Sequence, residues 1–201
     1  MKGIMAYISL GLCLLLVVVV VGSWMVSVAM PGCGFRSMLS QEGIRWFIGH
    51  FADIQRSKTL VWLLLAAISS GAWRGSRLSG TLRRVFRHES VSYHERLGLR
   101  TSAVVLAIFI GLVGYLVLAP HAVLRGATGG LVPSPFFTGI IPIVCFTVLA
   151  VSSIYGLVSR TYKTIPHLFR ALCHGIAQFA PVIVLYILAT QLIHSIAFVL
   201  N

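Results

Sequence analysis

Long apolar stretches alternate with short polar segments along the whole sequence. Five stretches contain no Lys, Arg, Asp or Glu, at residues 3–35, 59–73, 101–124, 126–159 and 171–201. A charge at the bilayer centre is costly, and a spanning helix needs about 20 mostly apolar residues. The pattern therefore predicts one all-α integral membrane domain over residues 1–201 with about five transmembrane helices, at about 4–30, 57–75, 101–120, 136–159 and 171–199.

The first two stretches need separate comment. The first is almost purely aliphatic between Leu10 and Val21. A cleaved signal peptide is its alternative, with Lys2 as the basic flank and Ala29 at a cleavage site, although the apolar run exceeds the usual ~7–15 residues. The second stretch is short, about 22 Å at 1.5 Å per residue, so its flanking cations Lys58 and Arg74 must snorkel for it to span.

A different periodicity occupies residues 40–54, between the first two predicted spans. Ile44, Phe47, Phe51 and Ile54 recur at helical spacing, while the charged residues fall mostly on other faces. The segment is predicted to be an amphipathic helix on the outer membrane surface, with Ser40 as its N-cap. Packing across the mouth of the helical bundle is favoured over a ligand role.

The positions of the basic residues predict the orientation. With the N-terminus inside, eleven of the 16 Lys and Arg residues fall in inner segments, seven of them in an Arg-rich cytoplasmic loop at 74–100. Because Lys and Arg accumulate on the cytoplasmic side, the N-terminus is predicted inside and the C-terminus outside. Phe86 and Tyr93 are too sparse for base stacking, so no nucleic acid is expected, and the loop is predicted to meet anionic lipid headgroups.

Composition agrees with the membrane assignment and removes several kinds of site. The chain is 58% hydrophobic and 10% charged, with a mean hydropathy of +0.94 and a net charge of +12. Its four cysteines form no C-x-x-C pair, and of these Cys33 alone is expected to meet water. Two His-Glu pairs, at 88–89 and 94–95, lie six residues apart on different helix faces, so neither a metal nor another cofactor is predicted.

Candidate chemistry inside the membrane is restricted to neutral polar residues of the last span. None of the four acids lies in a predicted span, which leaves no in-span carboxylate for ion coupling or for orienting a catalytic base. No enzyme and no catalytic residues are therefore expected. The candidates for substrate or ion binding are His174, Gln178, Gln191 and His194. Hydrogen bonding between helices or at the interface is favoured for them over a proton pathway.

Two sequence blocks resemble a known family. SMLSQEGIRWF at residues 37–47 resembles an S-x-E-G-I-R-W segment of the p-aminobenzoyl-glutamate transporter (AbgT) family. GLVPSPFFTGIIP at residues 130–142, continuing to IYG at 154–156, is similar to that family's S-P-F-x-x-G-I-x-P helix and Y-G motif. The resemblance covers roughly residues 5–75 and 115–201, and the two motifs occur in the family's order.

The resemblance implies a multi-pass protein of the bacterial cytoplasmic (inner) membrane that belongs to a class of dimeric transporters. Such transporters have nine spans and two re-entrant hairpins, and they move aromatic-acid compounds with a cation gradient. Here the Arg-rich loop stands in place of the first hairpin, and the second hairpin is expected to be missing, so no residue inherits the family's ligands. Three functions remain open: a reduced transporter that works as an oligomer, a non-transporting scaffold or accessory subunit, and one half of a split transporter.

Overall fold

The computed structural model describes residues 2–30, 36–87, 89–118 and 135–200, and all regular structure in these ranges is helical. Seven helices follow in chain order: α1 (Lys2–Ala29), α2 (Gln41–Gln55), α3 (Lys58–Ser76), α4 (Leu78–Phe86), α5 (Tyr93–Leu118), α6 (Pro135–Val158) and α7 (Ile165–Leu200). Cys33, His88 and the last two residues of the predicted span 101–120 lie outside the described residues.

Four helices are long and apolar enough to cross a membrane: α1, α5, α6 and α7. Large apolar side chains on them face outward, including Leu10 at 63% exposure and Ile108 at 61%. Apolar surface in contact with water is unfavourable, whereas a hydrocarbon solvent accommodates it. The chain is therefore an all-α integral membrane protein, as the sequence predicts.

The second predicted span, 57–75, corresponds to α3, which is not among those four helices. The helix is present over nearly the predicted residues, but Lys58, Ser69, Ser70 and Arg74 lower its apolar character. On length and composition alone, the described residues thus contain four candidate spans rather than five.

The segment predicted as an Arg-rich loop at 74–100 is mostly helical. It contains α4 and the first turns of α5. Leu78 and Thr81, three residues apart, are buried on one face of α4, while Arg83 lies exposed. The connection predicted between the spans therefore contains helical structure, and its cytoplasmic position stays a prediction.

The described residues divide into two compact units, and the helices α3 and α7 each contribute to both. The first unit comprises residues up to Leu63 and residues from Phe179 onward. In it, the Ser23 hydroxyl of α1 accepts a hydrogen bond from the Met38 amide at 3.1 Å. Trp46 of α2 stacks on Phe198 of α7 with ring centroids 4.4 Å apart. These contacts attach the segment before α2, and α2 itself, to the long helices.

Helix α2 begins where the sequence predicts. The Ser40 side chain accepts a hydrogen bond from the Gly43 amide at 3.1 Å, which makes it the N-cap, and Glu42 lies in the first turn. Much of the apolar face of α2 is uncovered within the chain, with Ile44 and Phe51 both exposed. An uncovered apolar face on a short charged helix is typical of a membrane-surface helix.

The second unit, Leu64–Gln178, has a small core that locks α4 against α6. Leu78, Val151 and Tyr155 are buried together, and the Tyr155 hydroxyl donates to the buried Thr81 hydroxyl at 2.7 Å. The chain then turns after α6 at Arg160, whose φ of 59° is left-handed. This turn places Tyr162 so that its hydroxyl donates to the Ala72 carbonyl of α3 at 3.2 Å.

The closest helix approach in the second unit joins α3 and α7. A Cβ added to Gly71 would lie 2.6 Å from the Ala171 carbonyl oxygen and 2.9 Å from Gly175 Cα. Such distances leave no room for a side chain at either glycine. Ala67 and Gly71, small residues one helical turn apart on α3, therefore form a close contact with α7.

Candidate functional site

The four polar candidates of the last predicted span all lie on α7, but in two different environments. His174 and Gln178 belong to the second unit, while Gln191 and His194 belong to the first. Helical periodicity further separates Gln191 from His194, which are three residues apart: Gln191 is buried and His194 is exposed. The four residues therefore differ in their unit of the structure or in their burial, and the sequence did not show these differences.

An open groove of about 300 Å³ contains the first pair, between α3 and the start of α7. We call it the cationic groove, and it is lined by Gly71, Arg74, Gly75, His167, Arg170, Ala171, His174 and Gln178. The glycines at 71 and 75 are one helical turn apart on α3, and Ala171 of α7 packs against both of them. The polar residues of α7 recur at intervals of three and four, so they follow one face of that helix.

The charge in this groove has no internal counterion. The chain has four acids, and none of them lines the groove. Two ion pairs occur among the described residues, Arg36 with Glu42 and Arg84 with Glu95, and neither involves Arg74 or Arg170. Unpaired guanidinium groups in a shared groove attract an anion with oxygen acceptors.

A hydrogen-bonded cluster surrounds Thr190 in the first unit. The Gln55 side-chain amide donates to the Ile187 carbonyl at 3.3 Å and to the Thr190 hydroxyl at 3.2 Å. The Ser57 and Tyr186 hydroxyls are 2.6 Å apart. Thr190 and Tyr186 of α7 thus bond Gln55 at the end of α2 and Ser57 just before α3, and neither is among the four polar candidates.

Gln191 and Ser195 differ from this cluster because they are buried without a partner. Gln191 is 2% exposed and Ser195 is 0% exposed, one helical turn apart. Neither polar atom of the Gln191 amide, nor the Ser195 hydroxyl, has a hydrogen-bond partner among the described residues. A buried amide without partners costs about 1–3 kcal/mol, so this pair is a candidate contact for a polar group from outside the chain.

A second basic surface lies where α4 ends and α5 begins. Arg96 and Arg100, one turn apart on α5, line a groove of about 620 Å³ together with Glu89. Close by, the Arg84 guanidinium pairs with Glu95, whose other oxygen accepts from the Ser92 amide at 3.0 Å. Glu95 therefore caps the start of α5, as the third helical residue does in a capping box.

Sequence reasoning missed three contributors to these sites. Arg74 was interpreted as a flank of a predicted span and as part of the Arg-rich loop, Arg170 was counted only among the inner basic residues, and Ser195 was not considered. The spacing of Arg170 and His174, and of Gln191 and Ser195, four residues in each case, would have indicated shared faces of α7. The approach of α3 to α7 carried no such signal.

Comparison with known proteins identifies related sequences. A family model described as "AbgT putative transporter family" matches residues 69–199. The p-aminobenzoyl-glutamate transport protein of Escherichia coli (strain K12) is 33% identical over 84 residues, which are 40% of this chain and 16% of that relative. The aligned stretch thus spans about a sixth of the relative's length. No solved structure matches.

Proposed function

Because this chain belongs to the AbgT transporter family, we propose that it takes part in membrane transport of anionic aromatic compounds of the p-aminobenzoyl-glutamate class. The observation that carries this proposal is the family match over residues 69–199, which includes all four polar candidates of α7. The name of the Escherichia coli relative supplies the solute class. The family is one of transporters and not of enzymes, which agrees with the absence of an in-span acid in the sequence.

The proposed setting is the bacterial cytoplasmic membrane, with the N-terminus inside, the C-terminus outside and α3 as a fifth span. At 19 residues, α3 is about 28 Å long at 1.5 Å per residue, close to a ~30 Å hydrocarbon core. Its terminal cations, Lys58 and Arg74, are both exposed and free to snorkel. This topology puts α4 and the arginines at the start of α5 on the cytoplasmic side, where anionic headgroups lie.

Within this function, we assign solute contact to Gln191 and Ser195. Their buried polar atoms have no partner among the described residues, and an amide can both donate to and accept from a solute that carries carboxylate and amide groups. His174, Gln178 and His194 remain predicted to serve packing or the interface, since all three are exposed within the chain. Gln191 and Ser195 are neutral, so they are assigned to the solute and not to a coupling ion.

An accessory role is the second candidate, favoured by the extent of the match. The aligned stretch is 16% of the Escherichia coli relative, so further spans supplied by a second copy or by a partner subunit would complete a pathway. In this case the chain alone is a scaffold or one part of a split transporter. The nearly bare surface of α1 is available for such association.

The test is flux of labelled p-aminobenzoyl-glutamate in vesicles that contain only this chain, with and without imposed Na⁺ and proton gradients. We expect gradient-dependent flux, and we expect Gln191→Leu to reduce it while insertion stays normal. Thr147→Val is the matched control, because the Thr147 hydroxyl bonds only the Ile143 carbonyl of its own helix, at 2.8 Å. Absence of flux from correctly inserted wild-type protein would exclude transport by this chain alone and favour the accessory role.

A further inference from the structure

The cationic groove combines two unpaired guanidinium groups with two imidazole rings and one amide. Arg74, Arg170, His167, His174 and Gln178 all line it, and each is exposed. Among the described residues no carboxylate lines the groove, so its positive charge suits an anionic ligand. We propose that the cationic groove binds the phosphodiester headgroup of an anionic phospholipid.

The expected position of the groove at the membrane–water interface favours a lipid as its ligand. Arg170 immediately precedes the uncharged stretch 171–201 within α7, which is long and apolar enough to span the bilayer. Arg74 immediately follows the uncharged stretch 59–73 of α3. Charged residues that border an apolar stretch lie at the membrane–water interface, the level at which lipid phosphates are found.

The shape of the groove also suits a headgroup. Gly71 and Gly75 carry no side chains, so Ala171 of α7 packs directly against α3, and this close approach places Arg74 of α3 and Arg170 of α7 in one groove. A guanidinium group offers parallel N–H donors that match two phosphate oxygens. His174 and Gln178 continue along α7 on the side of its uncharged stretch, where they can donate to the ester and glycerol oxygens of the lipid.

A lipid phosphate is favoured over a soluble anion because phosphate groups of lipids are concentrated at the membrane–water interface. Anionic headgroups are fixed at the interface, and each surface cation near them contributes about 1 kcal/mol of attraction. Two guanidiniums that share one groove therefore bind a lipid phosphodiester more tightly than scattered arginines do. The proposal does not depend on transport, since it requires only that α3 and α7 meet the membrane.

The test compares retention of phosphatidylglycerol by the full chain, purified in mild detergent, by native mass spectrometry. Arg74→Gln/Arg170→Gln removes both groove cations. Arg83→Gln/Arg87→Gln is the charge-matched control, because these exposed arginines lie on and just after α4 and line neither groove. Circular dichroism and size-exclusion chromatography establish that both variants are folded. A second arm adds inorganic phosphate to the wild-type protein as a competitor.

We expect the groove variant to bind phosphatidylglycerol about 30-fold more weakly, about fivefold for each arginine, and the control to bind like wild type. Arg74→Lys/Arg170→Lys should retain part of the affinity, because it keeps the charge and loses the fork of donors. Equal loss in the groove and control variants would overturn the proposal, since it would indicate attraction by net charge alone. Displacement of the lipid by millimolar phosphate would also overturn it and would identify a soluble phosphate as the ligand.

Discussion

Replacing Gly175 by alanine should destabilise the protein, because this residue lies where α7 comes closest to α3. The added Cβ would be 2.7 Å from Gly71 Cα and 2.8 Å from Gly71 N, and it would also clash with the Ala67 carbonyl oxygen. All of these are backbone atoms, so no side chain can rotate away. Ordinary contact at about 3.5–4.0 Å requires the two helices to separate by roughly 1 Å.

The magnitude follows from comparison with a glycine that has free space. Overpacking of this kind typically costs about 1–3 kcal/mol. Alanine also gains up to about 1 kcal/mol in helix propensity over glycine, and this gain is common to any mid-helix glycine. Gly111 of α5 is the control, since a Cβ there meets no atom within 4 Å. The difference between Gly175→Ala and Gly111→Ala thus isolates packing and should be about 1–3 kcal/mol.

The assay is unfolding of each variant in detergent micelles with increasing sodium dodecyl sulfate, followed by circular dichroism. We expect the Gly175→Ala midpoint to fall below wild type and the Gly111→Ala midpoint to stay level or rise. Equal midpoints for the two variants would refute the reasoning, because they would mean that α3 and α7 do not approach at this point in the folded protein.

Three further predictions concern hydrogen bonds and topology. Tyr162→Phe should cost about 1 kcal/mol in micelle unfolding, because it removes the hydroxyl that donates to the Ala72 carbonyl. Burial raises the pKa of Tyr162. The neutral phenol therefore stabilises the fold below pH ~10, and this contribution to the free energy of unfolding is lost as the pH rises through the raised pKa. The Tyr162→Phe variant should not show this loss of stability at alkaline pH. Tyr155→Phe should cost about 1 kcal/mol, since it removes the hydrogen bond between two buried hydroxyls, although Arg84 still donates to Thr81; a smaller loss than for an exposed Tyr93→Phe control would contradict this. A green fluorescent protein fused after Glu89 should fluoresce, which indicates a cytoplasmic position, whereas an active alkaline phosphatase fusion there would mean that α3 does not span.

Most of the helices could be predicted from the sequence, because hydrophobic runs and cap residues determine local structure. The bounds of α2 followed from the period of Ile44 and Phe47 and from Ser40, whose capping bond depends only on residues three positions away. The existence of α4 was missed, although its buried Leu78 and Thr81 have helical spacing. A high density of arginines indicates which side of the membrane a segment occupies, and it carries no information on whether the segment is helical.

The sites were predicted less completely because they depend on contacts between distant residues. The sequence identified His174 and Gln178 as polar residues on one face of α7. It did not show that Arg74 of α3 joins them, since this requires Gly71 and Gly175 to bring the two helices together. Contacts between two helices depend on tertiary packing, and in a single sequence only the small size of the two glycines indicates them.

The polar groups of the two units differ in whether they have hydrogen-bond partners, and this difference bears on function. The Tyr155 hydroxyl in the second unit has a buried partner in Thr81, and the Gln55 amide in the first has Thr190. Ser152 and Ser195 lack partners, but a serine hydroxyl can rotate toward a carbonyl of its own helix at little cost. Gln191 has no such recourse, because both its donor and its acceptor need partners and its side chain is held away from solvent. A glutamine in this state within a membrane-spanning helix is costly unless something outside the described chain satisfies it, and a transported solute or a neighbouring subunit would do so.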